Sequence, residues 1–132
     1  MKYLLDTHTL IWALTEPQKL SDTAQEILED PGKGIVVSAV SFWEIALKFS
    51  LGKLDLAGYM PEEFVSACIA TGFSFLDLSA EFSSSYHQLT ASHHKDPFDR
   101  MLIWQAMTYK YTLISDDEHV KKYKSDGLKM IW

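Results

Sequence analysis

Short apolar runs alternate along this chain with longer stretches of helical period. "KYLL" (2–5) is a short run ending at Asp6, and "GIVVS" (34–38) is a β-branched run after the turn sequence "DPGKG". "YTLIS" (111–115) and "LKMIW" (128–132) read as further strands, and "FSFLDL" (73–78) as one more. Between them lie helical patterns. "THTLIWAL" follows Asp6 directly, and "SDTAQEILED" (21–30) opens on a serine and an acidic first turn. "AVSFWEIALKFSLG" (39–52) is apolar on nearly every side and stops at Gly52. "PEEFVSACIATG" (61–72) has proline at its start and glycine at its end, the expected helical asymmetry. "SAEFSSSYHQLT" (79–90), "PFDRMLIWQAMTYK" (97–110) and the short "DDEHVKKYK" (116–124) complete the predicted helices.

Apolar strands alternating with helices predict a parallel sheet covered by helices on both faces. In open sheets of that kind ligands bind outside the carboxyl ends of the strands, near a topological switch point. The residues just after each strand are therefore the ones to inspect. Asp6 follows "YLL", and Asp116 and Asp117 follow "TLIS". Glu44 lies in the helix after "IVVS", while Asp96 and Asp99 open the helix that precedes "TLIS". Acids from four separated segments are expected at one edge.

Each acid also has a structural explanation. Asp6 suits the N-cap of the helix beginning at Thr7. Glu44 stands four residues before Lys48, the favourable order for a helix ion pair. Its apolar neighbours nevertheless require a carboxylate there to be paired, liganded or protonated. Pro97 at the first helical position makes Asp96 the N-cap, and Asp96 and Arg100 are one turn apart and positioned to pair. Asp99 suits the helix dipole, but capping does not require both aspartates. The patterning does not say which of Asp116 and Asp117 points inward. Together these acids would repel one another in a partly buried cleft, and a divalent cation is the simple remedy. An all-oxygen donor set favours magnesium or manganese over zinc.

Composition narrows the classes. The chain has 132 residues, the length of a single domain, with 47% hydrophobic and 13% aromatic residues, as in globular proteins. One cysteine, Cys68, leaves no internal disulfide and fits a reducing cytosol. Asp6 interrupts the apolar N-terminal run, no small-residue cleavage site follows, and no segment approaches a membrane span, so the chain is read as cytoplasmic with no membrane association. Twelve basic against eighteen acidic residues give a net charge of −6. That disfavours binding nucleic acid by bulk electrostatics, but not an enzyme whose metal ions supply positive charge locally.

"YLLDTHTLIWAL", "VSAVSFWEIALK", "HHKDPFDRMLIWQA" and "LISDDEHV" resemble, in order and spacing, the segments of PIN-domain proteins. More narrowly, the chain resembles the bacterial single-domain PIN toxins of VapBC-type toxin–antitoxin systems, over nearly its whole length. The resemblance implies a three-layer α/β/α sandwich with a mainly parallel central sheet, formed by residues 1–132 as one PIN domain. It also implies a ribonuclease dependent on Mg²⁺ or Mn²⁺, with Asp6, Glu44, Asp99 and Asp117 as the four acids that bind metal. Serine stands at position 115 where the family more often has threonine. Asp96 and Asp116 are secondary candidates, and Thr7, Ser115 and Arg100 are candidate supporting or phosphate contacts.

Water would be the nucleophile, attacking phosphorus in line as the 3′ oxygen leaves. No serine or cysteine nucleophile is needed. His93 and His94 lack a further cysteine or histidine at zinc spacing, and His94 is expected to make a structural or substrate hydrogen bond. Trp12, Trp43 and Trp104 are expected mostly in the core, Trp12 being the one with the alternative of a surface for stacking RNA or receiving a partner helix. The implied partners are an RNA substrate, a small cognate antitoxin whose C-terminal segment blocks the acids, and a second copy in a homodimer joined through helices such as 39–51. Two phosphotransfer alternatives fit less well, because Asp6-Thr7-His8 is not Asp-x-Asp and the acidic pair follows a late strand. The other competing class is a catalytically silent PIN-like protein-interaction module.

Overall fold

Tyr3, Leu5, Ile35, Val37 and Ile114 pack into one apolar cluster, while Leu4, Val36 and Leu113 pack into another. That alternation is the period of two of a strand with both faces covered. The computed structural model describes residues 1–132. Strands β1 (Lys2–Leu5), β2 (Gly34–Ser38), β3 (Ser74–Leu76), β4 (Thr112–Ile114) and β5 (Met130–Ile131) form one sheet in the order β3-β2-β1-β4-β5. Every neighbouring pair is parallel, and Leu5 lies opposite Ile114 where β1 and β4 end. The chain builds outward from β1 to β3 and then returns to place β4 on the other side of β1. The switch point is therefore the gap between the ends of β1 and β4.

The first cluster is closed by Leu10 and Ile11 of α1 (Thr7–Thr15), Ala24 and Ile27 of α2 (Asp22–Glu29) and Phe64 and Cys68 of α4 (Pro61–Thr71). The second is closed by Leu102, Ile103 and Ala106 of α6 (Pro97–Tyr109) and Val120 of α7 (Glu118–Lys121). Helix α3 (Ala39–Ser50) contributes Ile45 to one and Val40 to the other. The fold is thus the expected α/β/α sandwich. None of its helices is long and apolar enough to cross a membrane.

Several elements differ from their predicted extent. The segment 79–90 forms only α5 (Ala80–Ser84) and a 3₁₀ turn at Tyr86–Gln88. Ser83, Ser84 and Ser85 donate their hydroxyls to the carbonyls of Ser79, Glu81 and Phe82, local bonds that compete with helix propagation. The segment 116–124 shortens to α7 followed by a 3₁₀ stretch, Lys122–Asp126, which ends at Gly127 with φ of 105°. Strands β3 and β5, the two edges of the sheet, span three and two residues. Trp12 and Trp104 pack against the core, but Trp43 does not, being 61% exposed on α3.

Arg100 corrects a further expectation. It pairs with neither Asp96 nor any other acid, and its guanidinium is buried. Its Nε donates to the Tyr86 hydroxyl at 2.6 Å, Nη1 to the Ala91 carbonyl and the Tyr123 hydroxyl at 2.7 Å each, and Nη2 to the Leu89 carbonyl at 3.1 Å. The fork thereby fastens the irregular segment before α6 to the helix that carries Asp99. Arg100→Ala leaves those acceptors without a donor and is expected to lower stability by about 3 kcal/mol, and the melting temperature by about 10 °C. Arg100→Lys should recover less than half of that loss, since an ammonium cannot reproduce the fork. Thermal denaturation followed by circular dichroism checks both.

Candidate active site

Asp6 sits at the carboxyl end of β1, and its backbone N–H donates to the Ile114 carbonyl at 3.2 Å. Its Oδ1 accepts the Thr9 backbone N–H at 2.8 Å, capping α1. The side chain is buried, and burial raises its pKa against the lowering effect of hydrogen bonds from Ser115 and Thr9. Thr7 does not contact an acid: its hydroxyl donates to the Ser41 hydroxyl at 3.1 Å and joins α1 to α3.

Glu44 projects from α3 and is also buried. Its Oε2 receives an ion pair from Lys48, four residues on. Its Oε1 has no partner, and it is the only buried side-chain polar atom in the chain left so. A carboxylate oxygen in that condition carries the full cost of lost hydration, several kcal/mol for a charged group. Burial works against the Lys48 charge, but Glu44, with Asp96 and Asp99 beyond, outweighs it and holds the ammonium pKa above its usual value.

At the start of α6, Asp96 is the N-cap and accepts the Asp99 backbone N–H at 2.9 Å. Pro97 occupies the first helical position, which puts Asp99 at the third, within the first turn of α6. Burial pushes the Asp99 carboxyl up to about 7, and the charges of Asp96, Asp117, Glu44 and Asp6 push the same way. The acids of all four segments therefore share one field. Asp117 caps α7, its Oδ1 accepting the His119 and Val120 N–H groups at 2.7 and 3.2 Å. Ser115 Oγ accepts the Asp117 N–H at 3.1 Å while its proton serves Asp6, so one hydroxyl links two acids. Asp116 is exposed and does not figure among the charges acting on Asp99.

No three acidic or imidazole side chains converge closely enough to ligate one ion as they stand. Thr9, Lys48, His94 and the first turn of α7 each engage one carboxylate. The donor set nonetheless fits a hard divalent cation. It is all oxygen, it includes the orphaned Glu44 Oε1, and it suffers a like-charge repulsion that a cation would relieve.

Two further residues stand against the acids. Lys48 is an internal counter-ion, and the Glu44–Lys48 spacing was the available signal. His94 Nδ1 lies 3.0 Å from the Tyr123 hydroxyl and Nε2 lies 3.4 Å from Asp99 Oδ2. Arginine only donates, so the Tyr123 oxygen accepts from Arg100 and its own proton turns to His94 Nδ1, leaving Nε2–H towards Asp99. Burial lowers the His94 pKa, against the raising effect of Asp117 and Asp96.

The raised pKa of Asp99 makes stability depend on pH. An unfolded aspartate releases its proton near pH 4, so between about 4 and 7 the folded state holds more protons and stability falls as pH rises. In metal-free buffer Asp99→Asn is expected to be more stable than wild type at about pH 8, by on the order of 1–2 kcal/mol. The difference should close as pH is lowered to about 4. Urea denaturation at the two pH values measures it.

The profile of the PIN domain family matches residues 3–125. Over 129 residues the chain is 24% identical to Ribonuclease VapC22 of Mycobacterium tuberculosis, spanning 98% of this chain and 97% of that protein. Its fold superposes on VapBC2 from Rickettsia felis, solved bound to a DNA fragment from their promoter, with a TM-score of 0.72 at 18% identity, covering 100% of this chain and 99% of the other. VapBC-1 from nontypeable Haemophilus influenzae superposes with a TM-score of 0.66 at 17% identity, covering 99% and 97%. The family match runs from β1 through α7, across every strand end that carries an acid. The chain belongs to the PIN domain family.

Proposed function

We propose that this protein is a metal-dependent endoribonuclease, the toxin of a VapBC-type pair, hydrolysing RNA until a cognate antitoxin covers its acids. The observation that carries the reading is Glu44 Oε1, a buried oxygen without a partner among acids where burial, reinforced by like-charge repulsion, lifts Asp99 to about 7. Similarity to a protein named as a ribonuclease supports the activity, and similarity to VapBC complexes supports the antitoxin.

Asp6, Glu44 and Asp99 are the residues to hold Mg²⁺ or Mn²⁺. Asp117 caps α7 through Oδ1 alone and keeps Oδ2 for the metal or for the attacking water. When bound, a divalent cation supplies positive charge at the scissile phosphate and lowers the pKa of water there. The chain's own residues do the rest. Ser115 holds Asp6 against the end of β4, Thr7 fixes α1 to α3, and His94 steadies Asp99. Water attacks phosphorus opposite the 3′ oxygen, which leaves. Such an enzyme meets its RNA in the cytoplasm, the location this reading assigns.

A homodimer is part of the same reading. Trp43, Leu47 and Leu51 recur at helical spacing and are all exposed, so the outer face of α3 offers an apolar stripe for a second copy.

Calorimetric titration with Mn²⁺ is the direct test. Wild type should bind, and Asp99→Asn should lose that binding while remaining folded. In parallel, Asp6→Asn and Asp99→Asn should cleave single-stranded RNA at least about a hundredfold more slowly than wild type. Wild type and both variants equally inert on a broad RNA panel would instead favour a silent protein-interaction module.

A further inference from the structure

Beside the acids, at the carboxyl ends of β4 and β5, lies a second concavity of about 350 Å³. It is lined by Ser115, Asp116, Lys121, Lys124, Trp132 and the β5 residues Met130 and Ile131. Ser115 is the shared wall, since its hydroxyl also links Asp6 and Asp117. The volume falls in the range of small-molecule sites, and the position is where a parallel sheet receives ligands.

The charges in this cavity are unused by the fold. The Asp116 carboxylate makes no ion pair, and its neighbour Asp117 is the one that caps α7. Neither Lys121 nor Lys124 is paired with a carboxylate, Asp116 included. A chain with a net charge of −6 thus sets two free ammonium groups and one free carboxylate around one hollow without closing them on one another. The Trp132 ring is buttressed by Trp12 at 5.9 Å, and Met130 and Ile131 give an apolar floor.

We infer that this cavity is the subsite for a guanosine nucleotide of the RNA strand, with Asp116 reading the base and Lys121 and Lys124 holding its acceptors and phosphate. The inference rests on the ribonuclease reading and names the sequence that such an enzyme prefers. Guanine alone presents two adjacent donors, N1–H and the N2 amino group, which a carboxylate accepts together. Uracil places a single donor between two carbonyl oxygens that repel a carboxylate, and adenine sets an acceptor beside its amino group. Cytosine offers its amino group next to a ring acceptor. Guanine O6 and N7 suit an ammonium donor, and single-stranded RNA is commonly held by stacking on an aromatic ring such as Trp132. Asp116 is then a specificity-determining residue, with a role separate from that of its neighbour Asp117.

The test uses wild-type protein in metal-free buffer, titrated with the four nucleoside 5′-monophosphates and with inorganic phosphate, and followed by NMR of the tryptophan indole N–H signals. GMP should bind about tenfold or more tightly than AMP, CMP or UMP and shift the Trp132 signal, assigned from its loss in Trp132→Phe. Asp116→Asn should abolish the preference, whereas Lys124→Ala should weaken all four alike. Equal binding of the four nucleotides, phosphate binding as tightly as GMP, or a preference that survives Asp116→Asn would overturn the assignment. Because this readout needs neither metal nor cleavage, its failure leaves the acid site untouched. Conversely, GMP binding by a protein that cuts no RNA would sink the ribonuclease reading alone.

Discussion

Mutual repulsion among carboxylates at the carboxyl edge of a parallel sheet is the constraint around which the rest of this molecule is arranged. Two like charges a few ångströms apart near a protein surface cost on the order of 4 kcal/mol. Each acid here is offset by a donor that its own element supplies. The first turn of α1 serves Asp6, Lys48 one turn along α3 serves Glu44, and the N–H groups of α7 serve Asp117. Asp99 has the weakest offset, a histidine N–H at 3.4 Å, and on it the repulsion collects.

Much of this geometry was legible in the sequence because it follows from short-range rules. Asp96-Pro97 announces a helix start, and the spacing from cap to third helical position puts Asp99 in the first turn, within the field of the other acids. The apolar runs ending at Asp6 and Ser115 are adjacent strands with aligned ends, as strands feeding one switch point should be. Glu44 met both of its readings at once, one oxygen in the helix ion pair and the other buried among apolar neighbours.

What stayed hidden depends on contacts far apart along the chain. Arg100 looked like a partner for Asp96 because the two are one turn apart, yet its real acceptors are Tyr86, Leu89, Ala91 and Tyr123. No local pattern reveals two tyrosine hydroxyls and two carbonyls waiting in an irregular segment. Trp43 lies in a stretch apolar all round, so periodicity had no polar face with which to mark its exposure. The serines of 79–90 are weak helix formers whose effect is decided by whether their hydroxyls find carbonyls locally, which they do.

In Asp6, Glu44 and Asp117 the structural partner engages a single carboxylate oxygen. Asp6 and Asp117 cap through Oδ1, and Glu44 pairs with Lys48 through Oε2. One oxygen of each holds an element in place, and the other is left at the shared edge. Asparagine caps a helix about as well as aspartate, so exchanging one carboxylate for an amide keeps the oxygen that folds the chain and removes one charge from the repelling cluster. The separation explains how one cluster supports both the starts of two helices and a centre of negative charge. Stability and chemistry are thereby divided within single side chains rather than between residues.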